Sequence, residues 1–130
     1  MAAGGRELAV IAGLGVDVVA VARVAAMLAR HGQRFTRRCF RPGEIRRAGD
    51  AEHVAGVLAA KEAAFKALGT GWSGGVGWHS VEVTRTATGE PALRLHGAAA
   101  AHAAARGGRR MHLSISHAAG VAVAVVVLEG

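Results

Sequence analysis

Hydrophobic positions along the chain change period several times, and each change marks an element. Residues 8–19 are rich in Val, Ile and Leu and predict a strand, with a glycine bulge near Gly13 or Gly15. In regular alternation Asp17 shares a side with Ile11, Gly13 and Gly15. Residues 19–30 predict a helix ending near Gly32, with Val21, Val24, Met27 and Leu28 inward. Pro42 suits the first position of a short helical turn over residues 41–47. The longest periodic stretch follows: Asp50 can cap a helix that Gly69 can end in the left-handed conformation. At about 100° per residue, Val54, Val57, Leu58, Phe65 and Leu68 share one face of it.

Beyond that helix, residues 69–77 are too glycine-rich for regular structure, and their bare backbone suits close approach to a phosphate or a pantetheine-like chain. Residues 80–85 and 92–96 alternate around a Thr88-Gly-Glu-Pro91 turn and predict a hairpin. An alanine-rich helix over 98–106 stops at Gly107-Gly108. Two strands close the chain, over 111–116 and 121–128, the last apolar on both faces and so central. The order is one strand, three helices, two strands, one helix, two strands. It predicts a single α+β domain over residues 1–130, built on an antiparallel sheet.

Four polar residues break the apolar pattern. Lys61 falls near the middle of the central helix's apolar face, where an ammonium needs a partner, a ligand or a route to water. Glu62 lies at the edge of that face, and Lys66 is one turn beyond it. The plain structural reading is an i,i+4 ion pair. Asp17 ends a strand, where it could cap the next helix or ligate a metal.

Composition narrows the partners. The 130 residues carry a formal charge of +7, from 16 Lys+Arg against 9 Asp+Glu, which favours an anionic partner. Hydrophobic residues reach 52%, so disorder is disfavoured, but most are Ala and Val, and a thin core would gain from self-association. The single Cys39 cannot form an internal disulfide and fits a reducing compartment. The N-terminus makes a poor signal peptide, and the last apolar run is too short to span a bilayer. The expectation is a cytoplasmic protein with no membrane partner. Scarce aromatics and the lack of a familiar motif argue against nucleic acid. Arg23 and Arg30 share a side of the first helix, with Arg34, Arg37 and Arg38 in its trailing loop. They form a solvated basic face or a docking surface for an acidic partner.

Three segments then line up in order. Gly13-Leu-Gly-Val-Asp-Val18 with Arg23, Ala59-Ala-Lys-Glu-Ala-Ala-Phe-Lys-Ala-Leu-Gly-Thr-Gly71, and Leu113-Ser-Ile-Ser-His117 together resemble the holo-acyl carrier protein synthases. These are small bacterial 4′-phosphopantetheinyl transferases. The resemblance implies Mg²⁺-dependent transfer of the 4′-phosphopantetheine arm of coenzyme A to a serine of an apo acyl carrier protein, with release of adenosine 3′,5′-bisphosphate. It implies a homotrimer whose active sites are completed by a neighbouring subunit. By resemblance, Asp17 and Glu62 are metal-binding, and Lys66 contacts the diphosphate or the leaving bisphosphate. Lys61 would hold the carboxylates or the diphosphate. Gly69, Thr70 and Gly71 would lie against coenzyme A, with Pro91 lining the nucleotide region and His117 near the substrate, and Arg23, Arg30 and Arg34 would dock the acidic carrier.

The chain also departs from the family. Val57 stands where many members carry Arg, and Gly49-Asp-Ala-Glu-His53 stands where a basic cluster grips the nucleotide's phosphates. Arg46, Arg47, Arg85 or Arg109 are the candidates to replace them. Ala118 follows His117 where some relatives place Asp, so His117 is assigned to binding. A nucleic-acid module and a relative that binds carriers without turnover are the competing readings.

Overall fold

A helix that begins at an aspartate and stops at a glycine sets the positions of everything else. In the computed structural model, which describes residues 10–71 and 73–130, the order is β1 (Ile11–Ala20), α1 (Val21–His31), α2 (Gln33–Cys39), α3 (Ala51–Leu68), β2 (Val81–Arg85), β3 (Pro91–Leu95), α4 (Ala98–Ala105), β4 (Arg110–Ala118) and β5 (Val121–Glu129). The expected strand start at Leu8 lies outside the described residues. At the start of α3 the Asp50 carboxylate accepts the His53 N–H at 3.2 Å. At its end Gly69 takes φ 74°, and its N–H returns to the Phe65 and Lys66 carbonyls. Both caps follow the expected chemistry.

α3 is not amphipathic in place. All its residues from His53 to Leu68 are buried except Glu62 and Lys66. A helix buried on nearly all sides needs small residues where neighbours press closest. Ala59, Ala60, Ala63, Ala64 and Ala67 supply them. β1 answers with Gly13 and Gly15: a Cβ there would run into the Ala67 and Ala63 carbonyls. These glycines therefore serve close helix–strand approach; the register shift lies at Ile11–Gly13 and turns Ile11 outward.

β5 is central, as its composition predicts, in an antiparallel sheet ordered β1-β5-β4. Ala122, Ala124, Val126 and Leu128 face α3. β2 and β3 form a separate two-stranded hairpin instead of extending that sheet. The opposite face of the main sheet is open. Leu14, Val16 and Val18 of β1 and Val125 of β5 are exposed there. An apolar patch of this kind marks a contact surface.

Two expectations between the first helix and α3 are corrected. Residues 33–39 form α2, not a trailing loop: Phe35 and Cys39 bury one side while Arg34, Arg37 and Arg38 stay in solvent. Residues 41–47 form turns and no helix. The reason is Glu44, whose side chain points into the core (4% exposed) and accepts the Arg41 N–H at 2.7 Å.

Candidate active site

The inner face of β1 carries Gly13, Gly15, Asp17 and Val19 toward α3. The glycines let the helix settle onto the strand, and Asp17 is the next side chain along that row. Lys66, a full turn past Glu62, donates to Asp17 Oδ1 and to the Val16 carbonyl, each at 3.0 Å. Asp17 Oδ2 is buried and has no hydrogen-bond partner. Glu62 lies beside it. Burial first, then a hydrogen bond from the protonated Glu62 carboxyl to Asp17 and the charge of that carboxylate, pushes Glu62 up to about 7; Arg23 and Lys66 oppose the shift.

Both plain readings of these residues fail. Asp17 does not cap α1, which starts after Ala20 without a side-chain cap. Lys66 pairs with Asp17 across to β1, and no Glu62–Lys66 ion pair occurs among the described residues.

Two adjacent carboxylates in a partly dry site repel unless a proton or a cation lies between them. The orphaned Asp17 oxygen is a hard anionic donor. Among the described residues no cluster of three or more ligating side chains forms. Two carboxylates are what Mg²⁺ commonly takes from protein when phosphates and waters complete its octahedron. The donor set therefore fits Mg²⁺.

Lys61 must be corrected. Its side chain is 0% exposed and its ammonium donates to Glu44 Oε1 at 2.6 Å and the Val81 carbonyl at 2.7 Å, over the Phe40 ring. Glu44 Oε2 accepts the Val83 N–H at 2.8 Å. Burial lowers the lysine's pKa and the Glu44 hydrogen bond opposes that. The group is closed on every side, so it ties the 41–44 turn to α3 and β2 and turns away from Asp17 and Glu62.

A cleft of about 310 Å³ opens at the other end of α3. Val57, Pro91 and Ile115 give it apolar surface; Arg47, Arg85 and His117 stand at its walls. Arg85 and Pro91 are cross-strand partners in the β2–β3 hairpin. His117 Nε2 donates to the Glu52 carbonyl at 2.9 Å, and its ring rests on Gly56, where a Cβ would clash. At about 100° per residue, His53 of this cleft and Glu62 of the acidic pair point half a turn apart around α3. In one chain the two sites face away from each other.

Gly69, Thr70 and Gly71 leave α3 on the Lys66 side as a turn, with Ser73 Oγ donating to the Thr70 carbonyl at 2.6 Å; Trp72 is outside the described residues. Arg23, Arg30 and Arg34 are all exposed. Arg34 borders a groove of about 620 Å³ with apolar Met27, Phe35 and Trp78.

Comparison with known proteins decides the family. Residues 13–126 match the model of the 4′-phosphopantetheinyl transferase superfamily. A holo-[acyl-carrier-protein] synthase of Koribacter versatilis is 50% identical over 123 residues, 92% of this chain and 98% of its own. One from Solidesulfovibrio magneticus is 51% identical over 124 residues, 92% of this chain and 99% of its own. The chain belongs to the 4′-phosphopantetheinyl transferase superfamily. It is an enzyme of the holo-[acyl-carrier-protein] synthase family within it. The solved synthase of Neisseria meningitidis superposes with TM-score 0.82 at 30% identity, covering 92% of this chain and 98% of that one. The Helicobacter pylori synthase, solved in complex with coenzyme A, gives TM-score 0.78 at 30% identity, with 88% and 98% covered.

Within this synthase fold, Asp17, Glu62 and Lys66 come together and Pro91 joins His117, while Lys61 drops out of the site. Sequence reasoning missed Glu44. Its signal was indirect: a lysine centred on an apolar stripe demands a buried acid, and the chain has only 9 carboxylate residues.

Proposed function

We propose that this enzyme transfers the 4′-phosphopantetheine arm of coenzyme A to a serine hydroxyl of an apo acyl carrier protein. The observation that carries the reading is the buried, unpartnered Asp17 oxygen beside Glu62, with the Lys66 ammonium on the other Asp17 oxygen. Asp17 and Glu62 would hold Mg²⁺, which when bound supplies charge that offsets the diphosphate of the donor. Lys66 is 57% exposed while Asp17 is 12% exposed, so the ammonium lies at the rim, free to follow an incoming phosphate. It stabilises the charge on the departing adenosine 3′,5′-bisphosphate as the arm's phosphorus exchanges its bond to the bridging diphosphate oxygen for one to the serine oxygen, whose proton passes to solvent water. The 69–71 turn offers its backbone to the arm.

The reading extends to assembly. The uncovered apolar face of β1 and β5 supports a homotrimer, and the opposed directions of acidic pair and cleft support active sites shared between neighbours. Arg23, Arg30 and Arg34 would dock the acidic carrier, Arg23 near enough to act electrostatically on Glu62. None of the described helices is long and apolar enough to cross a membrane, and the lone buried Cys39 suits a reducing cytoplasm.

The test is direct. The protein, coenzyme A, Mg²⁺ and an apo carrier protein are incubated, and mass spectrometry looks for the added arm and for released adenosine 3′,5′-bisphosphate. Gain of one arm per carrier, lost on chelation, supports the reading. A carrier that binds but gains no mass would make the protein a non-catalytic relative.

A further inference from the structure

We propose that Arg85 is the residue by which this chain reads the 3′-phosphate of coenzyme A, with Arg47 a lesser contributor. The inference rests on the donor assignment above and goes beyond it to a specificity determinant.

The cleft at the N-terminal half of α3 has the surfaces that a nucleoside phosphate needs. Pro91 and Ile115 offer apolar area to a flat base, with buried Val57 beneath them. A phosphate monoester at the rim then needs cations, and the helix brings none, because Val57 is apolar and buried. Four basic side chains border the cleft, and three are already committed. Arg47 donates through Nε to Asp50 Oδ2 at 3.2 Å. His117 is bonded to the Glu52 carbonyl. His53 Nε2 accepts the Arg46 N–H at 3.0 Å, and burial with the nearby Arg47 and Arg85 charges keeps its ring from protonating readily. Arg85 has no hydrogen bond or ion pair from its guanidinium among the described residues. Its strand position fixes it opposite Pro91, at the mouth of the hairpin. Two acids, Asp50 and Glu52, also border the cleft and repel a dianion. An uncompensated guanidinium there is therefore decisive: its planar fork can take two phosphate oxygens at once. Because His53 and Glu62 point half a turn apart on α3, Arg85 would serve the donor held by the acidic pair of a neighbouring copy.

The experiment compares kcat/KM for coenzyme A and 3′-dephospho-coenzyme A in the full-length protein. Arg85→Ala should cut the coenzyme A value by roughly ten- to a hundredfold, mainly through KM, as expected for loss of a hydrogen-bonded charge. The dephospho donor should change by no more than about twofold. Arg85→Lys should restore part of the preference, and Arg47→Ala should erode it less than Arg85→Ala. Equal losses with both donors, or a preference that disappears in Arg47→Ala and survives in Arg85→Ala, would overturn the assignment. If the unsubstituted protein uses neither donor, the transferase reading fails instead. Calorimetric binding of adenosine 3′,5′-bisphosphate against adenosine 5′-monophosphate then still decides Arg85, whose removal should abolish the difference between them.

Discussion

Two lysines of one short motif meet opposite ends. Lys61 is fully enclosed, with a carboxylate, a carbonyl and an aromatic face around its ammonium, and its partner Glu44 is satisfied at both oxygens. Lys66 is mostly in solvent, and the acids beside it are left wanting: one Asp17 oxygen is unpartnered and Glu62 is pushed up to about 7. Both clusters carry a carboxylate brought from another element to α3. They differ in whether the protein supplies every partner. A closed charge network holds a fold in register; an open one can accept a ligand that completes it. The unsatisfied cluster is the one to which we assign the proposed transfer.

The contrast predicts opposite responses to substitution. The largest effect on stability should come from Glu44→Ala, which strands a buried ammonium and costs about 3–5 kcal/mol. Denaturant unfolding would show it; an unchanged midpoint would mean the Lys61 network is not closed. Next is Glu62→Gln, which should lower transfer by more than about a hundredfold, since even outer-shell changes at metal sites reach that size. At pH 8, where both acids of the metal-free protein are ionised, the same variant should raise the melting temperature, because a like-charge contact disappears. A variant that lost stability and activity together would erase the distinction between the two clusters.

The pH dependence is smaller and has a sign. The Glu62 pKa is raised on folding, from 4.5 to about 7, so the folded state holds the extra proton between those values. The metal-free protein should therefore lose stability as pH rises through that window and stay at the lower level above it. About half-solvated, the group should contribute on the order of 1 kcal/mol. Mg²⁺ with coenzyme A should remove the loss at pH 8, and Glu62→Gln should flatten the curve. The smallest effect involves no charge. Ala119 sits at φ 52° in the β4–β5 turn, beside Gly120 at φ 78°. Ala119→Gly should stabilise by about 1 kcal/mol by relieving left-handed strain, with the Glu44 and Glu62 comparisons unaltered.

Much of this was legible in the residues. Asp50 and Gly69 bounded α3, the two-faced apolar run marked β5 as central, and the alanine stretch gave α4. The meeting of Asp17 with Glu62 was not legible from periodicity, because a strand and a helix distant in sequence must pack before their acids share a site. It came from resemblance. α2 was hidden because Gln33–Cys39 has two buried positions and three arginines, too few apolar residues to display a period. The 41–47 helix failed because Glu44 turns inward for Lys61, a tertiary demand that overrides local propensity. Lys61 signals that it needs a partner but not which one, and the partner, Glu44, is visible only once the 41–44 turn packs on α3. Arg85 was one of several arginines until the hairpin register set it opposite Pro91.

The central claim is that Asp17 and Glu62 form an incomplete site finished by a divalent ion. Calorimetric titration of Mg²⁺ into the protein loaded with coenzyme A tests it most directly. Saturable binding at one site per chain, abolished in both Asp17→Asn and Glu62→Gln and retained in Arg85→Ala, is the predicted result. Undiminished Mg²⁺ binding in either acidic-pair variant would contradict it.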